Sequence, residues 1–158
     1  MIPQDHMSSA VDAAVARLVA KAFVDLSAIK GCSEADLRVI EATRGVTLPS
    51  VYRQFMLRLG RDAGQFLRGT DFLYPELMGL QALPAPLLKT SGALFELTPA
   101  HFVFMSHQGY QFLFFACDAG DDPPVMHYLE GDTLPRQVAP CFSDWLSGCV
   151  ADELGESS

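Results

Sequence analysis

The second half of the chain has almost no basic residues. Residues 80–158 contain only Lys89 and Arg136 against ten carboxylates, whereas residues 1–79 hold nine residues of each sign. The whole formal charge of −8 therefore belongs to residues 80–158. Such an imbalance disfavours binding to nucleic acid or to membrane phosphates, and it favours a cationic protein as partner.

The sequence also lacks the motifs that hold phosphates or metals. It contains neither Gly-x-Gly-x-x-Gly nor Gly-Lys-Ser/Thr, the two common phosphate-binding loops. Its four cysteines form no Cys-x-x-Cys pair and match no zinc pattern, which favours free thiols in a reducing compartment. These cysteines are Cys32, Cys117, Cys141 and Cys149. We therefore predict a protein without a cofactor.

Three histidines are the remaining candidates for catalysis. His101, His107 and His127 could meet on neighbouring strands. No cysteine or aspartate stands beside them at the spacing of a metal site or a catalytic triad. Each is explained as a strand-end or half-buried aromatic residue, so we predict a binding protein and no enzyme.

Long apolar runs are absent as well. The run Phe112–Cys117 ends at Asp118, far short of the ~20 residues that span a bilayer. Residues 1–6 lack the basic and apolar regions of a secretory signal, so we expect a cytoplasmic location. The length favours one domain over residues 1–158, with 1–8 and 152–158 frayed.

Helical patterns dominate the first 60 residues. Ser9-Ala-Val-Asp12 reads as a capping box, and the apolar stripe after it predicts a helix over 9–28. A second helix is expected from Ser33 to the stop at Gly45, because acidic residues fill its first turn. Pro49 then begins a third helix that ends before Gly60.

Strand patterns follow. Residues 101–106 and 110–117 predict a hairpin around His107-Gln-Gly109, and 125–129 predicts a third strand. Weaker strand patterns occupy 65–68 and 72–74, and a final helix is expected with Ser143 as its cap. Helices, then antiparallel strands, then a helix indicate an α+β fold.

The acidic turns between these strands are the candidate contacts. Asp118, Asp121 and Asp122 lack the alternating order and distal glutamate of a calcium loop, so no metal site is predicted. With Glu130 and Asp132 they are instead our predicted contacts for a basic partner protein. The alternative is that each is a solvated loop charge.

Short motifs resemble those of a known superfamily. The segment 37–59 contains Ile40-Glu41, then Gly45-Val-Thr-Leu-Pro49, then an aromatic residue and an apolar pair. This order is similar to the opening signature of the SUKH superfamily. Residues 102–115 resemble the central hairpin of that superfamily, and 142–146 resemble its closing helix.

The resemblance implies both a fold and a function. It implies a twisted, mainly antiparallel sheet backed by N-terminal helices and one C-terminal helix. Many bacterial members are immunity proteins that neutralise toxins, often nucleases, whereas eukaryotic relatives include regulators of cell-wall synthesis that act by binding. Two hypotheses follow: an immunity protein that occludes the basic active surface of a secreted toxin, or a regulatory scaffold. An enzyme would need a pocket that gathers several histidines and carboxylates.

Overall fold

The computed structural model describes residues 2–156, with side chains from Ala10 onward. Along the chain, its helices and strands are α1 (Ile2–Ala20), a 3₁₀ turn (Leu26–Ala28), α2 (Glu34–Arg44), α3 (Ser50–Leu59), a 3₁₀ helix (Glu76–Ala82), α4 (Pro84–Ser91), β1 (His101–His107), β2 (Gln111–Ala116), β3 (Val125–Leu129), β4 (Arg136–Ala139) and α5 (Phe142–Glu153). The α+β fold predicted from the sequence is therefore confirmed.

The four strands form one antiparallel sheet in the order β1-β2-β3-β4. The predicted hairpin joins β1 to β2, with His107 opposite Gln111. Its turn places Gln108 and Gly109 at positive φ angles of 53° and 80°. Positive φ at both central residues suits the right-handed twist of the flanking strands.

Apolar side chains cover both faces of the sheet. On one face Phe104 and Phe115 join a large core built with α1, α2, α3 and α5. On the other face Phe112 and Phe114 pack with Leu87 of α4 in a smaller core. Because successive residues of a strand point to opposite faces, one aromatic-rich strand can supply both cores.

Tyr52 of α3 stands at the centre of the larger core. Its ring centroid lies 5.1 Å from that of Phe115 and 5.6 Å from that of Phe142. These contacts join α3 to the sheet and to the start of α5. The Tyr52 hydroxyl is buried and has no hydrogen-bond partner among the described residues, and burial raises the pKa of this phenol well above its usual value.

The second and third helices follow the prediction. The side chain of Ser33 accepts a hydrogen bond from the backbone N–H of Asp36, and the Asp36 carboxylate accepts from the N–H of Ser33. Gly45 ends the helix with φ of 68°, which a residue without Cβ adopts at no cost. The third helix begins one residue later than predicted, since Pro49 is its N-cap and Ser50 its first helical residue.

The first helix differs from the prediction. Because α1 runs from Ile2 to Ala20, residue 9 lies inside the helix and does not begin it. The segment 21–28 forms a turn and a short 3₁₀ helix, in which Asp25 caps the backbone N–H of Ser27 at 3.0 Å. This local cap offers the chain an alternative to continuing the helix.

The two weaker strand predictions are wrong. Leu67, inside the first of these patterns, has a positive φ of 57°, which is incompatible with an extended strand. Phe66 is buried from a turn, and Phe72 is buried from an irregular segment that forms no strand. In this region a single bridge between Asp71 and Ser106 reaches the sheet.

The segment predicted to be frayed at the end of the chain contacts the rest of the molecule. Glu153 accepts a hydrogen bond from the backbone N–H of Leu67 at 3.2 Å. Glu156 forms a 2.6 Å salt bridge with Arg17 of α1. Met1 and residues 157–158 lie outside the described residues.

Candidate functional site

The five predicted contact residues lie at two opposite ends of the sheet. Asp118, Asp121 and Asp122 belong to the turn between β2 and β3, whereas Glu130 and Asp132 belong to the turn between β3 and β4. The five residues of β3 separate the two turns by about 16 Å at 3.3 Å per residue. The five predicted contacts therefore do not form one continuous surface.

Asp121 and Asp122 each contact the N-terminus of a helix that is distant in sequence. The Oδ1 atom of Asp121 accepts a hydrogen bond from Ser50 Oγ at 3.0 Å, at the start of α3. The two carboxylate oxygens of Asp122 accept from Ser143 of α5, one from the backbone N–H at 2.9 Å and one from Oγ at 2.6 Å. A carboxylate at a helix N-terminus satisfies unpaired N–H groups and complements the helix dipole.

Ser143 therefore has a different role from the predicted one. Cys141 is the N-cap residue of α5, and its side chain makes no capping hydrogen bond. Asp122 supplies the missing acceptor from another part of the chain, and Ser143 is a donor to it. The sequence spacing of 21 residues gives no local signal of this contact.

Asp118 and Asp144 lie at the same end of the sheet and are exposed. Neither side chain makes a hydrogen bond or a salt bridge within the described residues. Asp144 was missed by sequence reasoning, although it stands in the first turn of α5, where an acidic residue is favoured. We call Asp118, Asp121, Asp122 and Asp144 the acidic end.

The opposite turn is held together by its own contacts. The hydroxyl of Tyr128 donates to the carbonyl oxygen of Asp132 at 2.6 Å, and the backbone N–H of Leu129 donates to Asp132 Oδ2 at 3.2 Å. Glu130 is exposed at this turn. Asp132 therefore has a structural role, and Glu130 remains free to contact solvent or a partner.

Basic residues of the helical half do not neutralise the acidic end. Within the described residues, Glu156 is the one carboxylate of residues 80–158 that forms salt bridges, and its partners are Arg17 and Lys21. The remaining salt bridges of the described residues join basic and acidic side chains of the first half. The acidic end thus has no basic partner among the described residues, and Asp118, Asp121 and Asp144 are exposed to solvent.

Two of the three candidate histidines come together. His107 and His127 line a small pocket of about 250 Å³ on the sheet, where His127 Nε2 lies 2.7 Å from Gln111 Oε1. His101 lies at the other end of β1 and packs edge-on against Phe114. Burial, and then the charge of Arg136, lower the pKa of His127, so its ring is neutral at pH 7.

The described residues contain no cluster of three or more histidine, cysteine or acidic side chains that could hold a metal ion. Burial raises the pKa of the Cys32 and Cys117 thiols to about 11 and that of Cys149 to about 12. A thiol with so high a pKa is a poor nucleophile at neutral pH because the thiolate is the reactive form. Within the described residues, every helix is too short or too polar to cross a bilayer.

The comparisons with known proteins agree with this fold. Residues 31–148 match the family model described as the SMI1 / KNR4 family (SUKH-1). The matched segment begins just before α2, contains the whole sheet and ends within α5. A search of the curated proteins finds no match. Because the match to the family model covers well over half of the chain, this protein belongs to the SMI1 / KNR4 (SUKH-1) family of the SUKH superfamily.

Proposed function

We propose that this protein is an immunity protein that binds a basic toxin, most simply a secreted nuclease, and occludes its active surface. The observation that carries the proposal is the acidic end, where exposed carboxylates have no basic partner within the described residues. Family membership supports a role in immunity or regulation.

The physical argument concerns the surface of the target. A nuclease holds phosphates with lysine and arginine side chains, and an acidic inhibitor uses the same attraction to cover them. Attraction between opposite charges raises the association rate to about 10⁸ M⁻¹s⁻¹ at low salt. Rapid association is valuable when the toxin acts as soon as it enters a cell.

Within the acidic end, we propose different roles for the carboxylates. Asp118 and Asp144 are exposed and unpaired within the described residues, so they are available to lysine or arginine side chains of the toxin. Asp121 and Asp122 add negative charge to the same region while they contact α3 and α5. Glu130 and Asp132 lie at the opposite end of the sheet and contribute to the long-range attraction.

The alternative is a regulatory scaffold that binds a cellular protein without inhibiting a toxin. The same acidic surface would serve that role. The SUKH superfamily also includes eukaryotic regulators of cell-wall synthesis, which act by binding. The gene beside the coding sequence separates the two hypotheses, since a large secreted protein with a variable C-terminal domain indicates immunity. Survival of cells that express that toxin domain together with this protein is the direct test.

Charge-reversal variants then test the surface. We expect the double variant Asp118→Lys/Asp144→Lys to slow association with the toxin by about tenfold at 50 mM salt. The control is Glu76→Lys/Asp152→Lys, which changes the net charge equally but places the new charges outside the acidic end and outside the predicted contacts. Both pairs are exposed, so thermal melts should stay close to wild type.

Association rates measured between 50 and 300 mM salt distinguish the outcomes. A flatter salt dependence for the first pair alone supports the acidic end as the contact. Equal effects of the two pairs would show that net charge matters and that the acidic end is not the contact. Absence of protection in the co-expression experiment would contradict the immunity function itself.

A further inference from the structure

A second surface feature lies on the face of the sheet that α4 covers. A cleft of about 600 Å³ opens between α4, the segment 93–99 and the first residue of β1. Leu88 and Phe95 form its apolar wall, and both belong to the smaller core. A volume of this size is typical of clefts that take a small organic molecule.

Two cations line this cleft, although the protein as a whole is strongly acidic. Arg44, at the end of α2, and Lys89, in the last turn of α4, are both part of the lining. Neither forms a salt bridge with a described carboxylate, whereas five other basic side chains do. Glu96 is the one carboxylate of the lining among the described residues, and it is exposed.

The Nε–H of Arg44 is a buried hydrogen-bond donor without an acceptor among the described residues. Less than 1 Å² of this nitrogen atom is exposed. Buried donors are almost always paired in folded proteins, so an unpaired guanidinium N–H beside an open cleft indicates an acceptor that comes from outside the chain.

His101 gives the cleft a further donor. Its Nδ1 accepts a hydrogen bond from the backbone N–H of Thr98 at 2.8 Å, so the proton of the neutral ring is on Nε2. The ring is held against Phe95 and Phe114, with centroid distances of 5.9 and 5.1 Å. Burial lowers the pKa of His101, which keeps the ring neutral at pH 7 and fixes this arrangement.

We propose that the cleft binds a small organic anion. Its carboxylate or phosphate group contacts Arg44 and Lys89, and its apolar body packs against Leu88 and Phe95. This site differs from the acidic end because it uses positive charge and lies on the α4 side of the sheet. The two are neighbours, since Asp118 follows Cys117, whose backbone N–H donates to the carbonyl oxygen of Ala100 beside His101. It does not rest on the proposed immunity function.

Matched probes of known charge test the proposal on the full-length protein. We suggest 4-phenylbutyrate and phenyl phosphate as anionic probes and 4-phenylbutanol as the neutral analogue, followed in ¹H–¹⁵N spectra. We expect saturable shifts confined to amides of the cleft, and about tenfold weaker binding of the alcohol because it lacks the charge-assisted hydrogen bonds. The amides to follow are those of Leu88, Ala93, Phe95, Leu97 and His101.

Substitutions test whether Arg44 and Lys89 bind the anionic probe. Lys89→Gln and Arg44→Gln should each weaken phenylbutyrate binding by about fivefold or more, which corresponds to the loss of one charge-assisted contact. Arg38→Gln is the control, since Arg38 lies on the same helix as Arg44, is exposed and does not line the cleft. Lys89 is also exposed, so its variant should fold even if that of Arg44 does not.

Several results would overturn the proposal. Absence of saturable shifts at the cleft, or equal affinity for the alcohol and the acid, would exclude an anion site. Unchanged binding in Lys89→Gln would refute the proposed contact between the anion and Lys89. If the cleft amides respond to a tetraglutamate peptide and to neither anionic probe, the cations serve an acidic protein segment and the small-molecule site is refuted.

Discussion

Replacing Asp122 by alanine should destabilise the protein more than replacing any exposed carboxylate. The substitution removes both hydrogen bonds that Ser143 donates to Asp122, from its backbone N–H at 2.9 Å and from its hydroxyl at 2.6 Å. Loss of a helix N-cap costs about 1 kcal/mol, and loss of a further hydrogen bond to a charged group costs about 1.5 kcal/mol. The sum is about 2–3 kcal/mol, since Cys141 makes no capping bond that could compensate.

Two milder variants separate the contributions of the two hydrogen bonds to the free energy of unfolding. Ser143→Ala removes the hydroxyl bond to Asp122 but keeps the backbone bond, and it should cost about 1.5 kcal/mol. Asp122→Asn keeps one acceptor oxygen and should lie between Ser143→Ala and Asp122→Ala. Urea unfolding at pH 7 provides the measurement, and the full loss should lower the melting temperature by about 5–10 °C.

Asp118→Ala is the matched control for this series. Asp118 is exposed and makes no hydrogen bond within the described residues, so its replacement should change stability by no more than about 0.5 kcal/mol. Equal destabilisation by Asp118→Ala and Asp122→Ala would refute the reasoning, because general charge effects would then explain both. A loss below about 0.5 kcal/mol for Asp122→Ala would refute it as well.

Three further predictions concern Gly31, the buried Tyr52 and the histidines. Gly31→Ala should destabilise by about 3 kcal/mol in urea unfolding, because a Cβ there would lie 1.6 Å from the backbone oxygen of Leu57. Tyr52→Phe should stabilise by about 1 kcal/mol in the same assay, since it removes a buried hydroxyl without a partner among the described residues. Burial lowers the folded-state pKa of His101 and His127 below 6.5, so the unfolded chain binds protons first and stability falls as the pH drops below that value. Urea midpoints at pH 7 and 5.5 should show this fall, and the double glutamine variant should reduce it.

Each of these predictions has an outcome that contradicts it. Gly79→Ala is the control for Gly31, because a Cβ at residue 79 meets nothing within 4 Å; equal losses would rule out the steric argument. A loss above about 1 kcal/mol for Tyr52→Phe would mean that the hydroxyl is satisfied in solution. Unchanged urea midpoints between pH 7 and 5.5 would show that folding does not lower the pKa of either imidazole.

Local signals in the sequence predicted several elements well. Ser33 and Gly45 mark the two ends of α2 because capping and left-handed backbone depend on residues next to the helix. Gly109 marks the β1–β2 turn for the same reason. The predicted strand 125–129 coincides with β3.

Elements stabilised by distant contacts were missed. Residues 84–91 contain two prolines, Pro84 and Pro86, yet Pro84 is the first residue of α4 and Leu87 packs on the sheet. β4 has only four residues, three of them exposed, and it exists because β3 provides hydrogen-bonding partners. Neither pattern carries the periodicity on which sequence prediction depends.

The candidate site shows the same division between sequence and tertiary structure. The charge imbalance is a property of composition, so the sequence alone determined that residues 80–158 carry the net negative charge. Only the tertiary structure decided which carboxylates remain available, because Asp122 meets Ser143 across 21 residues whereas Asp118 meets no partner within the described residues. Charge is counted along the chain, but its pairing depends on which residues folding brings within hydrogen-bond distance.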